Sequence, residues 1–361
     1  MTAAPAQPLL RNDGRGIRCD VGGFHIDPWR PVPLALVTHA HADHARPGMG
    51  RYLCTSESLP ILRLRLGAEA AIDAVPCGEP IELGETRVSF HPAGHCLGSA
   101  QVRVEGEGAP GGAPGTEVAV AAGDYKRAPD PSCRGFEPLA CDTFVTEATF
   151  ALPIYRWRPG AEVADEMLAW WLENRERGRV SVLCAYTLGK TQRVLAELAG
   201  AWDRAGPSGE DRPTVWTHGA AEPLVRVYRE AGVDLLPTRP VGDEKARGRE
   251  NPFRGGLVLA PPAAAGSPWM RRFGRAQDVD VGFVSGWMAV RGIRRRRGYD
   301  RGFVMSDHAD WPDLVRTCRE SGASRILCTH GNTGVLSRYL RECCGLDASP
   351  LDAPYEAEEP D

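Results

Sequence analysis

The feature that most constrains this chain of 361 residues is the segment 38–44, THAHADH, which directly follows the apolar run LALV. It gathers three of the chain's nine histidines and one carboxylate within six positions. Imidazole nitrogens and carboxylate oxygens are ligands that zinc accepts. In an extended strand end, His39 and His41 point the same way, and a tightening loop then turns Asp43 and His44 toward a second point. The segment therefore predicts half of a two-metal site.

The remaining ligands have to come from elsewhere in the chain. Three candidates each stand at the end of a predicted strand, and they are His95, Asp124 and His330. A lone histidine at a strand end is more often a core or surface residue than a ligand, so each is weak alone and strong only with the first cluster. A carboxylate such as Asp124 can bridge two metals. Because His330 must reach the metals, the chain has to return near its end to the domain that it began.

The order of these motifs resembles that of the metallo-β-lactamase fold hydrolases, and more narrowly their nucleic-acid-processing β-CASP branch. The resemblance implies an α/β fold, a metallo-β-lactamase αββα sandwich with an inserted β-CASP-type α/β domain. It also implies two zinc ions per chain, with Mn²⁺ as an alternative activating metal. By the same resemblance, one zinc would be held by His39, His41, His95 and Asp124, and the other by Asp43, His44, Asp124 and His330.

Three further residues match family motifs outside the ligand set. Asp27 matches an early aspartate that supports the metal loop by hydrogen bonding. Glu147 and His308 match the acidic residue after a strand and the histidine after the inserted domain, which mark the β-CASP branch. A hydroxide shared by two metals would attack phosphorus, His308 would protonate the departing alkoxide, and Glu147 would orient its imidazole and raise its pKa. The residues assigned to catalysis are thus His308, Glu147, Asp43 and Asp124.

Within this branch the chain resembles the bacterial DNA ligase-associated exonucleases, on the segments 26–31, 123–126 and 285–311. The resemblance implies an exonuclease of DNA repair that acts on single-stranded DNA or DNA ends in preference to RNA. An ATP-dependent DNA ligase and a helicase are implied as partners. His330 instead favours RNA as the substrate, because RNA-acting members commonly have histidine at this position and eukaryotic DNA-acting members commonly have valine. An RNA 3′-end-processing or RNA-degrading nuclease therefore stays open as an alternative.

Three other classes of protein are weighed against these motifs. A small-molecule metallo-hydrolase of the same fold would have no evident use for an inserted domain or for the pair of Glu147 and His308. A flavodiiron-type oxidoreductase would carry glutamate in the first motif and a flavin domain. A scaffold without activity would have lost ligands, whereas this chain retains all seven.

The chain divides by pattern into three segments. Residues 1–155 read as strands and turns of a first domain, 156–300 as an inserted domain of alternating helices and strands, and 301–361 as the closing part of the first domain. The Gly/Pro-rich stretch 106–115 is predicted to be a hairpin loop.

Two features of the inserted segment suggest contacts to phosphate, although the formal net charge of the chain is −4. Arginines crowd the end of the segment, where Arg294, Arg295, Arg296 and Arg297 are consecutive. A local basic patch in a neutral protein can still hold nucleic acid. Lys190 follows a predicted strand-to-helix turn that lacks the upstream glycine of a P-loop. The start of that helix and Lys190 are nevertheless expected to hold a substrate phosphate.

The eleven cysteines form no CxxC pair and several lie in apolar runs, so they are expected to be reduced thiols. The first residues lack a basic region followed by an apolar core, and no window approaches the length of a membrane span. The sequence therefore predicts a cytoplasmic location without a membrane partner.

Overall fold

A computed structural model describes residues 8–107, 115–243, 251–290, 292 and 298–351. Within these ranges the chain forms two compact units. Unit 1 contains the residues up to Ala128, the stretch Arg134–Arg156 and the residues from His308 onward. Unit 2 contains Pro129–Cys133 and Trp157–Asp307.

The elements are numbered in chain order. The strands are β1 (Arg11–Asn12), β2 (Ile17–Cys19), β3 (Phe24–Ile26), β4 (Leu34–Leu36), β5 (Arg51–Thr55), β6 (Ile72–Val75), β7 (Ile81–Leu83), β8 (Thr86–Pro92), β9 (Ala100–Glu107), β10 (Thr116–Ala121), β11 (Thr143–Ala148), β12 (Val180–Cys184), β13 (Val215–Thr217), β14 (Thr238–Pro240), β15 (Leu257–Ala260), β16 (Val279–Val284), β17 (Arg301–Phe303), β18 (Arg325–Gly331) and β19 (Asp347–Pro350). The described α-helices are α1 (Leu59–Leu66), α2 (Gly160–Glu176), α3 (Lys190–Ala205), α4 (Glu222–Glu230), α5 (Trp311–Glu320) and α6 (Thr333–Cys344). Short 3₁₀ turns occupy Val241–Asp243, Pro262–Ala264, Pro268–Phe273, Ala276–Asp278 and Gly286–Ala289.

Unit 1 is built from two sheets. The strands of the first follow one another in the order β1 to β6, and α1 contacts β6. The second sheet has the order β19-β18-β11-β10-β9-β8-β7. In β10, Ala119 and Ala121 pack into the core that the two sheets share, while Val120 packs into a second core formed with α5 and α6. This alternation is the period of two expected of a strand that is buried on both faces.

The pairing of the second sheet determines where its polar residues meet. Strands β10, β11, β18 and β19 are paired in parallel. Their carboxyl ends therefore lie at one edge of the sheet. Asp124 follows β10, Glu147 is near the end of β11, and His330 is near the end of β18, so the topology brings the three residues to the same edge.

Unit 2 is organised around a parallel sheet with the order β14-β13-β15-β12-β16-β17. Parallel strands need crossover connections, and α3 between β12 and β13 and α4 between β13 and β14 supply two of them. The sequence pattern predicts the return to the first domain at residue 301. The structure instead pairs β17 with β16 in unit 2, where the Phe303 ring packs against Trp170 with ring centroids 5.5 Å apart. Unit 1 resumes only at His308.

All eleven cysteines lie in the described ranges, and all of them are free thiols. Most of the predicted loop 106–115 lies outside the described residues. Among the described helices none combines the length and the apolar character that crossing a bilayer requires.

Candidate metal centre

The segment 38–44 forms a tight loop after β4. The backbone N–H groups of His44 and Ala45 both donate to the carbonyl of His41, which closes one helical turn. His39 and His44 are buried, and Asp43 is partly exposed. The turn directs several of the loop's polar side chains into the same part of unit 1, as the sequence pattern predicted.

Asp27 anchors this loop through contacts with Thr38 and His44. Its Oδ1 accepts a hydrogen bond from the Thr38 backbone N–H at 2.8 Å, and its Oδ2 accepts from the Thr38 hydroxyl at 2.5 Å. The Nδ1 of His44 lies 2.7 Å from the same Oδ2. A proton on Nδ1 makes this a hydrogen bond and leaves Nε2 of His44 as the nitrogen available to a metal. Asp27 therefore both anchors the loop and selects the tautomer of His44.

The first group of candidate ligands is His39, His41, His95 and Asp124. His41 Nδ1 lies 3.1 Å from His39 Nε2 and 3.0 Å from His95 Nε2. Asp124 Oδ2 lies 3.4 Å from His39 Nε2 and 3.9 Å from His95 Nε2. A tetrahedral zinc with ligands at about 2.0 to 2.1 Å separates its ligand atoms by roughly 3.3 Å. The donor atoms and their spacing therefore fit one zinc ion.

The second group is Asp43, His44 and His330. His44 Nε2 lies 3.4 Å from Asp43 Oδ2 and also 3.4 Å from Asp124 Oδ2. The His330 ring stacks on His44, with centroids 4.9 Å apart. Asp124 Oδ2 is thus equally distant from a nitrogen of each group, as a shared ligand would be. The other oxygen of Asp124 is buried and has no hydrogen-bond partner among the described residues. A buried carboxylate oxygen of this kind fits a site meant for a cation.

The position of His330 depends on strained backbone at the end of β18. His330 has a φ of 54°, and Gly331 has a φ of 71°. The pairing with β11 slips by one residue at this point. A Cβ on Gly331 would lie 2.4 Å from the Ala148 carbonyl oxygen, so only glycine fits. The bulge aims the imidazole away from the regular ladder, and such strained residues concentrate at functional sites.

Burial determines the protonation of most imidazoles in the centre. It lowers the pKa of His39 to about 3 and the pKa of His330 to about 4, and it holds the pKa of His95 well below the usual value. These three rings are therefore neutral at neutral pH, which is the form that binds metal.

His44 and Asp124 behave differently because each faces an opposite charge. Burial disfavours the charged form of His44, but nearby carboxylates, Asp43 first and Asp124 next, raise its pKa well above the usual value. Burial likewise opposes the Asp124 carboxylate, yet the charge of His44 keeps the pKa of that carboxyl well below its usual range. A metal at His44 Nε2 would displace a proton, so metal binding should release protons.

His308 and Glu147 form a pair beside the first group. His308 Nδ1 lies 2.9 Å from Glu147 Oε2, and the other oxygen of Glu147 accepts from the Tyr125 backbone N–H at 2.8 Å. Glu147 is completely buried, whereas the His308 side chain is 13% exposed. The His308 ring lies 4.7 Å from that of His95, measured between centroids. Glu147 thus fixes the ring of His308 next to the candidate ligands. Asp124, Glu147 and His308 also lie close enough together to hold a cation themselves.

The predicted phosphate contacts of unit 2 have a different outcome. Lys190 is 3% exposed, and its ammonium group donates to the Met305 carbonyl at 2.9 Å and contacts Asp307 Oδ1 at 2.8 Å. Its charge is therefore used inside unit 2, on a backbone carbonyl and a buried carboxylate. The prediction of a substrate phosphate at Lys190 is therefore not supported by its surroundings. Arg294, Arg295, Arg296 and Arg297 lie outside the described residues.

Several residues that support the ligands without binding metal were not predicted from the sequence. Thr38 fixes the loop through Asp27, and the Ser99 hydroxyl accepts from the backbone N–H groups of His95 and Cys96 at 3.1 Å each. Gly123 has a φ of 59°, and a Cβ there would lie 2.6 Å from the Thr38 hydroxyl. The one signal in the sequence was that each of these residues lies close to a candidate ligand along the chain. The contacts that they make could not be predicted in this way.

We expect Asp27→Asn to weaken metal binding by about 10- to 100-fold, the usual effect of losing a partner that orients a ligand. An amide oxygen can still accept from Thr38, but the amide nitrogen would face Nδ1 of His44 and could not accept its proton. The affinity is measured by competition with a chelator of known strength. Asp13→Asn is the matched control, because Asp13 Oδ2 contacts His25 Nε2 at 2.9 Å outside the centre. Equal affinities of the two variants would contradict the role of Asp27.

Comparison with known proteins identifies related sequences and related structures. The chain is 30% identical over 340 residues to a probable DNA ligase of Opitutus terrae, an alignment that covers 93% of this chain and 30% of the relative. It is 26% identical over 210 residues to the transcription termination factor FttA of Methanosarcina mazei, covering 48% of this chain and 31% of that protein. The chain thus spans about 30% of the length of these curated relatives. No family model matches.

A crystal structure of a protein of unknown function from Enterococcus faecalis aligns with 90% of this chain and 80% of its own. The TM-score is 0.55 and the sequence identity is 12%. At this identity the likeness concerns the fold alone. The arrangement of sheets and helices is therefore one that has been observed before.

Proposed function

We propose that this chain, a member of the bacterial DNA ligase-associated exonuclease family, hydrolyses phosphodiester bonds of nucleic acid at a centre of two metal ions. The observation that carries the proposal is the position of Asp124 Oδ2, 3.4 Å from His39 Nε2 and 3.4 Å from His44 Nε2. A carboxylate oxygen equally distant from an imidazole nitrogen of each group suits a shared ligand. Because of this family membership, we also assign unit 1 to the metallo-β-lactamase fold and unit 2 to its β-CASP insertion.

The donor sets suit zinc, with Mn²⁺ as an alternative activating metal. His39, His41, His95 and Asp124 would hold one ion, and Asp43, His44, Asp124 and His330 the other. When bound, two such ions lower the pKa of the attacking water and draw charge from the phosphate oxygens. The protein then needs no side-chain nucleophile, and its own residues act on orientation and on the leaving group.

His308 is the residue we assign to protonation of the leaving oxygen. Its Nδ1 is engaged by Glu147 at 2.9 Å, and we assign the delivered proton to Nε2. Glu147 holds its own position through the Tyr125 backbone N–H, so the imidazole cannot rotate without breaking its contact with an anchored carboxylate. A general acid fixed in this way contributes about 10²- to 10⁴-fold to the rate.

DNA is the substrate that we favour, in the form of single strands or strand ends, and RNA is the second candidate. The relative named as a probable DNA ligase favours DNA. A repair role in the cytoplasm, beside an ATP-dependent DNA ligase and a helicase, is part of the proposal and rests on the resemblance of the sequence motifs. The relative named as a transcription termination factor, together with His330 in the last ligand position, favours RNA. Arg294 to Arg297 are proposed to bind the strand backbone, which would make binding sensitive to salt and indifferent to base sequence.

The test is digestion of single-stranded DNA and RNA of one sequence, each labelled at the 5′ or the 3′ end. With Zn²⁺ or Mn²⁺ present we expect DNA to be shortened from one end. The label that is released first gives the polarity. A chelator should abolish the reaction, and a return of the metal should restore it.

His39→Ala serves as the inactive variant and His91→Ala as its matched control. His91 lies on β8, contacts Glu137 at 3.1 Å and is outside both ligand groups. We expect the first variant to lose activity and the second to keep it. Faster digestion of RNA would transfer the proposal to the RNA-processing alternative. Hydrolysis of neither polymer would overturn the proposed function.

A further inference from the structure

Unit 2 contains a cluster of buried charges that the proposed function does not yet use. Two cations from the first turn of α3, Lys190 and Arg193, are 3% and 4% exposed. Arg193 lies 3.1 Å from Asp307 Oδ1, 3.2 Å from Asp130 Oδ2 and 3.6 Å from Glu197 Oε1. The start of α2 covers the cluster so closely that a Cβ on Gly160 would lie 2.1 Å from Glu197 Oε1.

The two cations bind one short stretch of chain, Met305 to Asp307. Lys190 donates to the Met305 carbonyl, and Arg193 donates to the Ser306 carbonyl. Both contact Asp307 Oδ1. The stretch lies between β17 and α5, has no ladder partner and is buried. Buried carbonyls outside regular structure need donors, and here side chains supply them.

Such a cluster does little for stability in itself. Taking charges out of water costs free energy, and a buried ion pair offsets this cost only with close geometry and further hydrogen bonds. Buried ionic groups are better explained by the conformation that they specify. What this cluster specifies is the path of Met305 to Asp307, and the next residue in the chain is His308.

His308 is also held on its other side. The Ala309 backbone N–H donates to the Tyr125 carbonyl at 2.6 Å, and Glu147 engages the imidazole. The main chain around His308 therefore has one anchor after the residue and one before it. Reactive groups have to be placed to within a fraction of an ångström, and an error of about 1 Å can cost 10²-fold in rate.

We infer that Lys190 and Arg193 are positioning residues, which hold Met305 to Asp307 and thereby set the backbone from which His308 delivers its proton. The inference rests on the proposed function, because it needs a reaction with a leaving oxygen. It replaces the surface role that the sequence suggested for Lys190. A residue that binds the strand would affect KM and the salt dependence, whereas a positioning residue affects turnover.

The experiment compares two substrates in Lys190→Met. One is a single-stranded oligonucleotide, whose leaving alkoxide needs protonation. The other is bis(4-nitrophenyl) phosphate, whose leaving group departs without it. We expect turnover of the oligonucleotide to fall roughly 10²-fold with KM and metal content unchanged, while turnover of the nitrophenyl ester stays within about twofold.

Lys190→Met removes one of the two cations that contact Asp307 Oδ1 and could disturb folding. The double variant Lys190→Met/Asp307→Asn removes the ammonium group and the charge that it neutralises, and it should show the same split between substrates. Arg179→Met is the matched control, because Arg179 donates to the Val279 carbonyl at 2.8 Å and contacts Asp280 at 3.0 Å elsewhere in unit 2. It should lower thermal stability and leave the ratio of the two turnovers as in the wild type.

Three results would overturn the inference. In the first, the oligonucleotide is cleaved by the variants at the wild-type rate. In the second, both substrates lose turnover equally, which would indicate a general structural role. A rise in KM with unchanged turnover would likewise count against it and return Lys190 to substrate binding. A wild-type protein that cleaves no nucleic acid would instead contradict the proposed function, so the two failures are distinguishable.

Discussion

Asp124→Ala should lower the metal content at both positions and abolish most phosphodiester hydrolysis. Its Oδ2 lies 3.4 Å from His39 Nε2 and from His44 Nε2, so the substitution removes a donor from each group at once. It also removes a carboxylate that helps to balance the charge of His44. Metal ions contribute several kcal/mol to such reactions, which corresponds to a loss of at least about 10³-fold.

Metal content is measured by mass spectrometry of the protein after passage over a weak chelating resin. The wild type should retain two equivalents, and Asp124→Ala should fall below one. Asp73→Ala is the matched control, since Asp73 is an exposed aspartate on β6 that pairs with Arg51 of β5. A variant without Asp124 that keeps both ions and full turnover would refute the shared-ligand assignment.

His308→Ala should keep its metal yet lose about 10²- to 10⁴-fold in turnover of a strand. The ring contacts Glu147 through Nδ1 and stands beside His95, but it is not a member of either group of imidazole ligands. Part of the loss should be recovered with bis(4-nitrophenyl) phosphate, whose leaving group needs no proton. Turnover and metal content are measured on the same preparation.

Glu147→Gln provides a milder version of the same change. The amide oxygen can still accept from the Tyr125 backbone N–H, while the amide nitrogen would face His308 Nδ1. Turnover should fall with metal content unchanged.

Asp124, Glu147 and His308 lie close enough to hold an ion, so loss of metal in His308→Ala would make His308 a ligand and end its assignment as the acid.

Secondary structure with a local signal could be predicted. The strand-to-helix turn that the sequence predicts before Lys190 lies between β12 and α3. Boundaries set by distant partners could not be predicted in this way. The stretch 301–303 joins the sheet of unit 2 because β16 offers it a free edge, and nothing in its own sequence says so.

Lys190 shows the same limit for a side chain. A lysine at the start of a helix matches a phosphate contact by type, and its sequence neighbours do not distinguish a surface site from an internal one. In the structure its ammonium lies 2.8 Å from a carboxylate more than a hundred residues away in the chain. Only packing decides which of these uses a long cationic side chain takes.

The sequence by itself determined the chemistry that is available at the centre, namely five imidazoles and two carboxylates at strand ends, because residue type and strand period are properties of short segments. The tertiary structure alone decided which atoms meet. It presents Nδ1 of His41 but Nε2 of His39 to one group, assigns Asp27 to the far side of His44, and sets the Glu147 carboxylate against His308. Those choices depend on parallel pairing between distant strands and on burial, which shifts pKa values only once the chain has folded.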